Sequence, residues 1–139
     1  MSLCLISLNY SAAQCLNVNY QQVKNQPVYK STGNAALDKV LNTEKANLEN
    51  VFKVKVDLKI LDDSQSPNAY ATNESSNPFF FDGTVYLGYT LLNNELMKRK
   101  NGVFAVKGIM AHEFGHILQT KLKCELQGSQ RELHADFLA

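Results

Sequence analysis

Tryptophan is absent from this chain of 139 residues, and cysteine, proline and histidine occur only three times each. The cysteines, Cys4, Cys15 and Cys124, are odd in number, widely spaced and form no CxxC pair. That argues against a disulfide-stapled scaffold and against a zinc ribbon. An excess of charge is missing too, since 14 basic and 13 acidic residues leave a formal net charge of +1. No global field therefore favours nucleic acid or an acidic partner. The densest basic run, Lys98-Arg99-Lys100, stands before Asn101-Gly102, where a helix would end, and the helix dipole accounts for it. No apolar run approaches the ~20 residues needed to cross a bilayer, so no transmembrane segment is expected.

The apolar start is also short. Met1-Ser-Leu-Cys-Leu-Ile-Ser-Leu, followed by Ser11-Ala12-Ala13-Gln14-Cys15, lacks the basic n-region and the full apolar core of a signal peptide. Read as the remnant of an export signal, it implies a periplasmic or secreted protein. Read as a first strand or ordered arm, it leaves the compartment open. Residues 1–33, rich in Asn, Gln, Ser and Tyr from residue 9 onward, are expected to be an arm or lead-in. With 45% hydrophobic and 19% charged residues, the chain can bury one core, and residues 34–139 are expected to be that single domain.

Two of the three histidines stand together, in Ala111-His112-Glu113-Phe114-Gly115-His116-Ile117. On a helix, His112 and His116 are one turn apart on one face, so both imidazoles can reach one metal ion. This is an HExxH motif, and by composition its chance occurrence in a chain this short is roughly a few in a thousand. Zinc is the cofactor expected, because two histidines and one further protein ligand leave its fourth position open to water. Glu113, displaced by about 100° from the histidine face, can reach that water without ligating the metal, as a general base must. The alternative is an amphipathic helix carrying two surface histidines. Against it, Val103 to Val106 and Gly108 to Ala111 are apolar almost all round, which predicts a buried helix. Gly115 points the same way, since a mid-helix glycine costs about 1 kcal/mol against alanine and needs a packing reason.

The third ligand lies downstream. A HExxHxxGxxH extension would need glycine at 119 and histidine at 122, where the chain has Gln119 and Leu122. In Ser129-Gln-Arg-Glu132-Leu-His134-Ala-Asp136, Glu132 and Asp136 are four apart and share a helix face. Glu132 can complete a His, His, Glu shell, and Asp136 can accept the far ring N–H of a zinc histidine. Two other readings stay open. Ser129-x-x-Glu132 is also a capping box, and His134 or Cys124 could ligate in place of Glu132.

HExxH with a later ExxxD, Glu132 to Asp136, resembles the gluzincin metallopeptidases. It is most similar to the CAAX-prenyl-protease-like and HtpX-like peptidases and their soluble periplasmic relatives. Asn68-Ala69-Tyr70-Ala71, then Asp82-Gly-Thr-Val-Tyr-Leu-Gly88 and Leu91-Leu92, resemble the strand and Gly-rich hairpin that precede the active-site helix there. The resemblance covers roughly residues 34–139. It implies a zincin-like fold, a peptide or protein substrate, and substrate contacts at Asn68, Ala69, Tyr70 and Ala71. Fifteen residues, 117–131, separate His116 from Glu132, and the chain reaches three residues past Asp136. Both distances are short for the family, so a compact or C-terminally truncated form is expected, with Tyr70, Tyr86 and Tyr89 as candidates for the oxyanion-stabilising group.

Periodicity supplies the rest. Leu37, Val40, Leu41, Leu48 and Val51 predict an amphipathic helix over 34–50. Strict alternation from Phe52 to Ile60 predicts a strand with one wet face. Short strands are expected at 69–72 and 84–87, with Phe79-Phe80-Phe81 between them as core. Helices are expected over 89–101, 103–123 and from Ser129. The fold class is thus α+β: an N-terminal helix and a small, mostly antiparallel sheet, then the HExxH helix and a Glu-bearing helix. Either 68–72 or 84–88 would be the edge to which an extended substrate adds as a strand.

Zinc-dependent endopeptidase activity is the function this pattern supports. The alternatives are a repressor-cleaving metallopeptidase of mobile elements, a catalytically inactive zincin-like domain that binds peptides or scaffolds partners, and a structural zinc site. Oligomeric state is not encoded in any feature of the chain.

Overall fold

The structure, a computed structural model, describes residues 25–98 and 100–139. The readings of residues 1–15 as export remnant or first strand, most of the lead-in, Cys4, Cys15 and Arg99 lie outside the described residues. Among the described residues, four helices and a mixed four-stranded sheet form an α+β fold.

Strand β1 (Val28–Tyr29) falls within the expected lead-in and is followed by helix α1 (Ala35–Phe52). Asn34 starts α1 by accepting from the N–H groups of Ala36 and Leu37 at 3.0 and 3.1 Å, satisfying two donors that a helix leaves open. Lys53, in the left-handed region at φ 55°, ends it. That residue corrects the expected strand start. Phe52 belongs to the helix and Val54 to the turn, so β2 spans Val56–Leu61.

Strands β3 (Ala69–Thr72) and β4 (Gly83–Gly88) complete a sheet of order β1-β2-β4-β3. β4 lies between β2 and β3, parallel to the first and antiparallel to the second. The sheet is therefore mixed: its two outer pairings are antiparallel, as expected of a mostly antiparallel sheet, and its central pairing is parallel. Alternation along β2 reports which face is wet, but nothing in it names the neighbour. β4 is buried throughout its length, and β3, like β1, is an edge strand among the described residues. Of the two candidate edges, 84–88 is thus an interior strand.

The turn that separates β2 from β3 is fixed by Asp63, which is 3% exposed. Its carboxylate accepts from the backbone N–H groups of Asn68, Thr90 and Leu91 at 3.0, 2.6 and 3.1 Å. The last two open helix α2 (Tyr89–Lys98), so a residue far away in sequence caps it. Gly88 makes room for this, because a Cβ there would overlap Asp63 Oδ2 and the Asn68 carbonyl oxygen.

Helix α3 (Gly102–Lys121) carries the HExxH residues, and helix α4 (Gly128–Leu138) packs against it. α2 ends at Lys98, short of the expected end at Asn101, and α3 begins at Gly102, one residue before the expected start at Val103. One face of the sheet, through Val56, Ile60, Ala69, Val85 and Leu87, joins a core with Leu41 and Phe52 of α1, Leu92 of α2, and Met110, Phe114 and Ile117 of α3. Each of the larger of these side chains contributes about 1.5–3 kcal/mol by leaving water. α3 is buried chiefly from Met110 to Gln119, whereas Val103 and Phe104 nearer its start are exposed. The phenylalanine cluster also departs from expectation: Phe79 and Phe80 are 95% and 71% exposed in the link between β3 and β4. An apolar run reports hydrophobicity but not which side of a loop it faces.

Candidate metal centre

His112 and His116 are on successive turns of α3, and Glu132 reaches them from α4. The Nε2 atoms of the two histidines are 3.1 Å apart, and Glu132 Oε2 is 3.3 Å from the first and 3.4 Å from the second. Bonds of ~2.0–2.1 Å in a tetrahedral shell put neighbouring zinc ligands about 3.3–3.4 Å apart. The donor triangle matches that spacing.

The other ring nitrogens are held from outside the triangle. His112 Nδ1 is 2.8 Å from Asp136 Oδ1 across the helix pair, and His116 Nδ1 is 2.9 Å from Gln119 Oε1 on its own helix. Each outer acceptor favours a proton on Nδ1 and a lone pair on Nε2. Two imidazole lone pairs and a carboxylate oxygen then converge on one point, which is the chemistry of a divalent cation site. A proton could also sit between them. Burial, helped by the His112 and Arg131 charges, holds His116 below the ordinary histidine range against the Gln119 hydrogen bond and the Glu132 charge, which raise it. This favours the neutral imidazole that metal binding requires.

The helices meet closely enough because position 115 is glycine. A Cβ there would lie 3.3 Å from both the Cα and the carbonyl oxygen of Ala135, a buried residue between Glu132 and Asp136 in the chain. α4 begins at Gly128 after Gln127, with no side-chain cap. The alternative reading, a capping box at Ser129, does not form, and Glu132 turns toward the histidines. Cys124 is exposed and His134 contacts Gln119; neither belongs to the ligand group.

Glu113 is 2% exposed, on the buried side of α3. In Asn68, the backbone N–H, the carbonyl oxygen and Oδ1 are engaged by Asp63, Gly88 and Ala69. Ala69 and Ala71 pack toward the core, so β3 offers a substrate its main chain rather than these side chains. Tyr70 and Tyr86 pack with Leu61 on the opposite sheet face, while Tyr89 is 46% exposed at the start of α2.

Sequence reasoning singled out both histidines, Glu113, Glu132 and Asp136, and passed over Gln119. Its signal was there, three residues after His116 and so on the same helix face.

No protein family, curated protein or solved structure was found to match the chain.

Proposed function

We propose that the chain is a zinc-dependent metallopeptidase of the gluzincin type, with His112, His116 and Glu132 as metal ligands and Glu113 as general base. The observation that carries this reading is the triangle of donor atoms with 3.1, 3.3 and 3.4 Å edges, contributed by an HExxH helix and a second helix. Zinc bound there would bring the pKa of its water to about 7 and polarise a scissile carbonyl. The neighbouring α+β frame, with an edge strand beside α3 whose outer side pairs with no strand among the described residues, supports the zincin-like fold that the sequence resembles.

The chain's own residues divide the remaining work. Asp136 and Gln119 hold the Nδ1 protons and so aim both Nε2 atoms at the metal. The Glu113 carboxylate takes the proton released by the attacking water and hands it to the leaving amine nitrogen. Its burial removes competing solvent from that transfer. The outer edge of β3 presents main-chain N–H and C=O groups, with which an extended peptide can pair as an added strand.

The test is hydrolysis of an unfolded protein substrate by zinc-loaded enzyme. Activity lost to a chelator and restored by zinc is expected. Binding of one zinc with no hydrolysis would replace this reading with a peptide-binding domain, and no zinc binding would end it.

A further inference from the structure

Gln119 is as deeply buried as Glu113, at 2% exposure, yet the reaction gives it no direct part. Its amide meets three groups. Oε1 is 2.9 Å from His116 Nδ1, while Nε2 is 2.7 Å from the Arg131 carbonyl oxygen and 3.1 Å from His134 Nδ1. The two ends of an amide are alike in shape and opposite in hydrogen bonding, so the neighbours decide which way it faces.

Here the Arg131 carbonyl decides, because a carbonyl oxygen only accepts. Nε2 must face it and donate. Oε1 then faces His116 and can only accept, so the proton of that imidazole must be on Nδ1. In the neutral ring the lone pair is left on Nε2, the atom 3.4 Å from Glu132 Oε2. By the same logic, His134 Nδ1 is an acceptor.

We propose that Gln119 is a positioning residue that commits His116 to its metal-binding tautomer and ties the helix bearing the histidines to the backbone of α4 one residue before Glu132. The assignment rests on the zinc reading of the site. His112 receives an acceptor from Asp136, whose side chain is 67% exposed, so water can stand in when that carboxylate is removed. Gln119 is enclosed, and nothing replaces its oxygen. A filler role could be met by methionine, which has similar volume but neither the acceptor nor the donor. The positioning role needs both.

Gln119→Met and Gln119→Glu separate these roles, since glutamate keeps an acceptor toward His116 and loses the donor toward Arg131. The readout in the metal-free protein is the ¹⁵N signature of the His116 ring, identified by its loss in His116→Gln. Wild type is expected to show the Nδ1–H form. Gln119→Met is expected to lose that form and to bind zinc about 10- to 100-fold more weakly in chelator competition. Gln119→Glu is expected to keep the Nδ1–H form and most of the zinc affinity while unfolding at a lower temperature.

An Nε2–H ring in wild type overturns the assignment, whether or not any variant folds. So does persistence of Nδ1–H in Gln119→Met, or an equal loss of zinc affinity in both variants. If wild type binds no zinc, the metal reading falls, and the tautomer comparison still decides the role of Gln119.

Discussion

Gly115 on α3 and Ala135 on α4 stand so close that a Cβ on the glycine would lie 3.3 Å from the Ala135 Cα and carbonyl oxygen. The approach delivers Glu132 and Asp136, on the same helix as Ala135, to the two histidines on either side of Gly115. A packing contact therefore sets the geometry of the donor atoms.

Gly115→Val should force the helices apart. The branched side chain meets backbone, which cannot rotate away, and overpacking of this kind costs about 1–3 kcal/mol. Zinc affinity is expected to fall at least tenfold, because displacing α4 breaks the Glu132 edge of the triangle. Chelator competition measures the affinity, and urea unfolding of the metal-free protein measures the cost. Gly115→Ala needs only a few tenths of an ångström of adjustment and gains helix propensity, so it should stay near wild type in stability.

The histidines make the site pH-dependent in a definite direction. Zinc needs a neutral His116, so as pH falls affinity should hold until that ring protonates, below the ordinary histidine value of about 6.5, and fall from there. Metal-free stability should follow the same sense. Burial lowers the folded pKa of His116, so as pH drops below about 6.5 the unfolded chain takes up the proton first. The loss should be complete only below the folded value. Urea unfolding across this range, compared with His116→Gln, isolates the contribution, and a stability that rises on acidification would contradict it.

Asp63 supports the frame rather than the chemistry. Asp63→Ala strands three part-buried backbone donors, at Asn68, Thr90 and Leu91, and should cost about 1–3 kcal/mol. Zinc affinity in the folded fraction should change little, since α3 and α4 do not depend on that turn. A drop in unfolding temperature with unchanged zinc binding is the expected pair of results.

The donor residues of the candidate site were legible because their signal is local. HExxH and the Glu132–Asp136 pair need only helical spacing to put side chains on one face. Gln119 has equally local spacing to His116, but its meaning depends on the Arg131 carbonyl twelve residues on, which no periodicity reveals. The sheet was partly legible for a related reason. Alternation marked β2, yet it ran back through Phe52 and Val54 because the left-handed turn at Lys53 leaves the hydrophobic pattern intact. Insertion of β4 between β2 and β3 is a choice of neighbour, made by the link that Asp63 holds. The exposure of Phe79 and Phe80 runs against hydrophobicity itself.

The most direct test of the peptidase reading is cleavage of an unbiased peptide mixture by the zinc-loaded protein, read by mass spectrometry beside Glu113→Gln. The substitution leaves all three ligands in place, so both proteins should bind one zinc. Wild type should yield defined products that also report its cleavage preference, and the variant should yield at most a thousandth as much, the order expected when a general base is removed. Equal products from both would assign the cleavage to a contaminant or to another base. Zinc bound by both with no products from either would show that the site holds a metal without hydrolysing peptides.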